Sequence, residues 1–321
     1  MNLVTDQAEA VLSILAKQEA NQPLDDGDWQ RVFQSEGYVR LKTRETSMNR
    51  SFEDSDFRTF VLSEQLRKRA QRLSETLANW KRADITQASV KALAYLPAHA
   101  RLRAKIYPVI KPRENSFVFE VKTNPAIFLY LDPLKSKDKF ANELAHELHH
   151  IGYGSACPAS QTTDEISRLP ETQQAAIKWL GAFGEGFAML AAAGGPDIHP
   201  HAVSSADERA RWDKDIENFN SDLKTVEQFL QNILDDQLSQ DEIQKQGFSF
   251  FGVQGPWYTV GWKMSTVIEK AFGRQKLLEC MCDQRLLLPA YNNAAANHNR
   301  RAIQPLALWS QSLSNRIGQD P

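Results

Sequence analysis

With 321 residues, 42% of them hydrophobic and 24% charged, the chain has enough apolar material for one large domain or two closely packed ones, and a formal net charge of −2 gives no basic footprint for nucleic acid or an anionic membrane. No apolar run approaches the roughly 20 residues that span a bilayer, and residues 1–10 lack the basic segment and apolar run of a secretory signal. Three cysteines, Cys157, Cys280 and Cys282, form no CxxC pair, which argues against a disulfide framework or a cysteine zinc knuckle and predicts reduced thiols in a cytoplasmic protein.

In chain order, residues 5–20 open on a cap at Thr5 and place Ala8, Val11, Leu12, Ile14 and Leu15 at helical spacings. Residues 24–29 read as a turn and a fresh cap before a second helix over 29–35, which Glu36, Gly37 and Tyr38 close. Residues 56–81 set Phe57, Phe60, Val61, Leu66, Leu73, Leu77 and Trp80 among Arg, Lys and Gln, the pattern of one or two long amphipathic helices. Acids surround Arg67, Lys68 and Arg69, so this cluster reads as a solvated helix face. The signal changes near Pro97. Residues 101–109, 116–121 and 126–131 are short runs rich in β-branched and aromatic side chains, bounded by Pro, Asn and Lys turns, and predict a small sheet of about three strands.

The sharpest motif follows. Residues 146–150 read H-E-x-x-H, with His146 and His150 four apart and Glu147 next to the first histidine. On a helix, positions i and i+4 stack on one face, so both imidazoles can reach a single tetrahedral zinc ion, while Glu147, turned by roughly 100°, stays off the ligand set and faces a water as general base. Phe140, Leu144, Leu148 and Ile151 supply the apolar flank of that helix, and Gly152 and Gly154 offer a stop. His149 points off the metal face and reads as a supporting or solvent-facing histidine. Asn142 and Glu143 are candidates for orienting the ligands.

After residues 153–158 a loop is expected to about Asp164. A helix is predicted over 171–193, ended by Gly194, Gly195 and Pro196, then a long helical region over 206–246 and helices over 259–272, 274–282 and 304–313. A catalytic zinc needs a third protein ligand and an open position. The spacing H-E-x-x-H-x-x-G-x-x-H is absent, because Tyr153 and Ala156 occupy its last two positions. Two glutamates remain. Glu185 lies between Gly184 and Gly186 in an apolar stretch, where a carboxylate is costly unless paired or metal-bound, and the two glycines would let its helix approach the metal helix closely. Glu165 is the second candidate, although acids are favoured anyway in the first turn of a helix. His199 and His201 read as loop histidines.

His146-Glu147-Leu148-His149-His150 with the downstream Gly184-Glu185-Gly186-Phe187-Ala188 resembles the gluzincin zinc peptidases, and most of all an uncharacterised bacterial family described as zinc-dependent peptidases. Tyr258, Gly261 and Lys263 to Met264, followed by Ile268 and Glu269, are similar to the Tyr-x-x-Gly helix after the site in those proteins, and the resemblance covers roughly residues 100–295. It implies an α+β fold with a zincin-like core, a small mixed sheet plus the H-E-x-x-H helix, and a mostly helical remainder. Residues 1–96 would form an N-terminal helical region and residues 97–321 the catalytic region, with the sheet at 100–132, the metal helix at 137–152 and a helical part at 164–321. It further implies Zn2+ held by His146, His150 and Glu185, with Glu147 as general base for peptide-bond hydrolysis. Tyr258 is either the oxyanion donor or an aromatic packed beside Trp257. The strand at 126–131 would lend its edge to an extended peptide or protein substrate. The ligand set also suits hydrolysis of a non-peptide amide or ester, and a non-catalytic zincin-fold binding protein would keep the same helix.

Overall fold

In the computed structural model, which describes residues 1–157 and 160–318, four strands make one mixed sheet: β1 (Asn2–Leu3), β2 (Lys105–Val109), β3 (Phe117–Phe119) and β4 (Ala126–Tyr130). The order is β1-β2-β4-β3, with β1, β2 and β4 parallel and β3 antiparallel to β4. β4 is buried at every position, which is why its sequence runs apolar without alternation. It pairs with β2 on one side and β3 on the other, so the expectation of an open edge at 126–131 is corrected: among the described residues the outer edge belongs to β3. Strand order does not follow chain order here, and no local pattern in the sequence reports it.

The chain divides into two compact units, residues 1–89 with 102–151 and residues 90–101 with 152–321. In the first, the sheet shares its unit with α1 (Asp6–Glu19), α2 (Asp26–Phe33), α3 (Glu36–Ser47), α4 (Asp54–Val61), α5 (Glu64–Arg67) and α6 (Ala70–Trp80). An Asp25–Asp28 capping box starts α2. Glu36, Gly37 and Tyr38 open α3 instead of closing a helix, because the Asp6 carboxylate accepts the N–H groups of Glu36 at 2.6 Å and Gly37 at 3.2 Å, satisfying donors that a helix start leaves bare. The stretch at 56–81 is three helices, and Ser63, whose hydroxyl accepts the Leu66 N–H, caps the middle one. Lys68 pairs with Glu64 in solvent, whereas Arg69 donates to the Tyr130 hydroxyl at 3.0 Å and leaves the expected solvated face.

Next come α7 (Ile85–Leu93), which the sequence pattern did not suggest, and α8 (Lys137–Ala156), the helix of the H-E-x-x-H motif. α8 runs through Gly152 and Gly154, each a cost of only about 1 kcal/mol in a helix interior. Its last turn is fastened instead: Tyr153 Oη accepts from Gln284 Nε2 at 2.6 Å, and Cys157 is joined by a disulfide to Cys282, with 4.9 Å between the Cα atoms. The expected reduced thiols are thereby corrected for these two cysteines, and the ground they gave for a cytoplasmic location falls away; Cys280 is free and buried. Of the loop expected at 153–164, residues 153–156 are helix, Pro158 and Ala159 lie outside the described residues, and α9 (Ser160–Ser167) fills most of the rest.

The second unit continues with α10 (Glu171–Leu180), a 3-10 turn (Gly181–Phe183), α11 (Gly184–Ala193), α12 (Ala206–Glu217), α13 (Phe219–Leu234), α14 (Gln240–Ser249), α15 (Pro256–Phe272), α16 (Arg274–Cys282), α17 (Leu287–Asn299) and α18 (Gln311–Gly318). The single helix expected over 171–193 is thus broken, the region 206–246 is three helices, α17 was not foreseen, and the helix expected at 304–313 begins only at Gln311. α15 is the axis of this unit and packs against α11, α12, α13, α16 and α17. Its Trp257, Val260, Met264 and Ile268 are wholly buried at spacings of three and four, one continuous helix face. No helix among the described residues is long and apolar enough to cross a membrane.

Candidate metal centre

α8 is amphipathic in an unusual sense, with a core face and a chemical face. Phe140, Leu144 and Leu148 are fully buried and Ile151 nearly so, and the Phe140 ring sits 4.5 Å from that of Trp80. This apolar row fixes the rotation of the helix, and with it the direction of the histidines. His146 and His150 are half-buried, their Nε2 atoms 3.1 Å apart and their ring planes 81° to one another. Two ligands about 2.0–2.1 Å from a tetrahedral ion stand about 3.3 Å apart. The imidazole pair therefore has the separation a single zinc requires. Glu147 is 8% exposed, and His149 is 1% exposed with its ring 6.4 Å from that of His150, so the solvent-facing reading of His149 is withdrawn. Glu143 pairs with Lys135 at 2.8 Å, a structural use that accounts for its carboxylate. Burial pushes the Tyr153 phenol, one turn beyond His150, above its ordinary value.

Glu185 is the second residue of α11, and everything after it on that helix, Gly186 to Ala193, is buried. Gly186 lies directly against the backbone of α15: a Cβ there would run into Gly261 and the Trp262 N–H, and a Cβ on Gly261 would come 2.7 Å from the Phe183 carbonyl. Of the two glycines flanking Glu185, Gly186 makes a close backbone approach to α15, while Gly184 has open space at its Cβ position. Backbone-to-backbone contact of this kind holds the first turn of α11 rigidly. Tyr258 stands in the first turn of α15, three residues before Gly261 on the same helix face, half-buried with its ring 6.4 Å from Phe251.

Among the described residues, one group of side chains has the composition and spacing to hold a metal: His146, His150 and Glu185 each offer a ligand atom, and these atoms lie within 4.8 Å of one another. Two imidazoles and one carboxylate are the donor set of a catalytic zinc with a position left for water. The other candidates are spoken for. Glu165 accepts from the Arg285 guanidinium at 2.8 Å, which also binds Asp283, and this accounts for its charge without a metal. His199 meets Asp213 at 2.8 Å and accepts the His201 N–H through Nδ1, and His201 lies 2.9 Å from the Ser204 hydroxyl against the Trp212 ring. They shape the loop before α12. The Cys157–Cys282 bridge has no local signal by which a sequence reading could find it, since the two cysteines are 125 residues apart.

A family profile described as "Putative zinc dependent peptidase" (DUF5700) matches residues 14–300. Comparison with curated proteins and with solved structures finds no match.

Proposed function

Because the chain belongs to that family of zinc-dependent peptidases, we propose that it hydrolyses peptide bonds at a zinc held by His146, His150 and Glu185, in a zincin-like arrangement of the gluzincin type. The observation that carries the proposal is the convergence of two imidazole nitrogens and one carboxylate within 4.8 Å. When bound, zinc supplies a Lewis acid that polarises the scissile carbonyl and acidifies a water molecule. Glu147, adjacent to His146 and largely shielded from solvent, would hold at its carboxylate the proton of a hydrolytic water and return it to the leaving amine. Tyr258 donates its phenolic hydrogen to the oxyanion of the tetrahedral intermediate. Substrate backbone pairs with the outer edge of β3, which has N–H and C=O groups to offer an extended chain.

Metal analysis of the purified protein and of Glu185→Ala, together with hydrolysis of a peptide library, tests this reading. About one zinc per chain is expected in the parent and little in the variant, with peptide cleavage in the parent alone. Equal zinc in both proteins would remove Glu185 from the ligand set. Zinc with cleavage of small amides or esters but of no peptide would reassign the reaction.

A further inference from the structure

Lys111 takes no part in that chemistry. It lies two residues beyond β2 and is only 3% exposed, a rare setting for an amine. Its Nζ donates to the Arg113 carbonyl and to Asn115 Oδ1, the latter at 2.6 Å, and stands 5.5 Å and 5.9 Å from the ring centres of Phe117 and Tyr130. An ammonium carries three N–H donors, so two acceptors leave one donor unanswered among the described residues. Lys111 also lines a cavity of about 360 Å3, with Leu41, Phe52, Glu45, Arg50 and Arg113 among the other walls. That is the size of a small-molecule site. Glu45 is already matched by Arg44 at 2.7 Å and Arg50 at 3.5 Å, so the charge left facing the cavity is positive.

We propose that this cavity binds a small carboxylic acid, whose carboxylate accepts the remaining N–H of Lys111 while its apolar body lies against Leu41 and Phe52. The acid is either a free one or the C-terminal residue of a peptide, since both present the same group. Without a ligand, burial pushes the Lys111 amine down to about 7; Glu45 opposes the shift, and Arg44, Arg113 and Lys135 add to it. A carboxylate at Nζ favours the ammonium, so binding takes up a proton above pH 7 and weakens as the pH rises.

Isothermal titration of the full-length protein with benzoate, benzamide, acetyl-Leu-Phe and its C-terminal amide tests the proposal. Benzoate is expected to bind at least about tenfold more tightly than benzamide, with affinity falling about tenfold per pH unit above 7 and with proton uptake visible as a buffer-dependent heat at pH 8. Lys111→Met, which replaces a buried amine by an apolar side chain of similar length and is checked by its melting curve, is expected to lose both the preference and the pH dependence. Ser51→Trp, at an exposed wall residue, obstructs the cavity without touching the amine and is expected to weaken binding to the same extent. Binding of benzoate alone assigns free acids, binding of the dipeptide acid but not its amide assigns chain ends, and binding of neither overturns the proposal. So does benzoate affinity unchanged by Lys111→Met.

Discussion

α8 and α11 each carry polar groups of the candidate centre, α8 beside a buried apolar row and α11 on an otherwise apolar helix, and they hold those groups by different means. On α8 the relation between His146 and His150 is a property of one helical turn, and the buried row from Phe140 to Ile151 only has to set which way that turn faces. On α11 the backbone beside Glu185 is held where Gly186 meets Gly261 and Trp262 of α15, a contact between segments far apart in the chain. Damage to α8 should therefore be felt in chemistry with the fold intact, and damage to α11 first in the fold.

The largest expected effect strikes at α11. Gly186→Ala drives a Cβ into the backbone of α15 and should lower the unfolding free energy by about 3 kcal/mol or more, read from denaturant melts, with zinc stoichiometry falling alongside. A variant as stable as the parent would dissolve the contrast between the two helices. Tyr258→Phe should reduce kcat/KM by about a hundredfold, or about 2.7 kcal/mol, while zinc content and melting temperature stay put; a change in stability instead of rate would return Tyr258 to packing beside Trp257. Reduction of Cys157–Cys282 releases the end of α8 and should cost about 2 kcal/mol, seen as a lower melting temperature with reductant present. An unaltered melt would mean that the helix needs no such anchor. The smallest effect is a gain. Lys111→Met should stabilise the protein by about 1 kcal/mol at pH 6. The folded value of about 7 lies below the ordinary lysine value, so between them the unfolded chain holds more protons and parental stability rises with pH. The benefit of the methionine should accordingly shrink toward pH 10, as melts across that range will report.

The same contrast marks what the sequence could tell. The i, i+4 histidines and the apolar row of α8 are periodic, and periodicity is local information. The strands β2, β3 and β4 stood out by their β-branched and aromatic content, and Glu185 by being a carboxylate among Phe183, Gly186 and Phe187. What stayed hidden depends on contacts between distant residues. β4 sits inside the sheet because β3 folds back onto it and β1, two residues long, arrives from the far N-terminus beyond β2. The break in the helix over 171–193 falls at a 3-10 turn, Gly181–Phe183, whose last residue packs its ring against Trp257 of α15. Gly37 reads as a stop in sequence, yet Ser35 caps α3 just before it and Asp6, from a distant part of the chain, accepts its N–H, which together make it part of a helix start. Cys157 and Cys282 have no sequence relation at all.

The borders of the sheet are its shortest members, two residues in β1 and three in β3. A border that brief can lend a visiting backbone only about two hydrogen bonds, too few for a second molecule of this chain to be zipped on as an extra strand. The protein is thereby guarded against growth into fibres at the very place where its substrate would dock, and discrimination among substrates must fall to the side chains that flank that brief ledge.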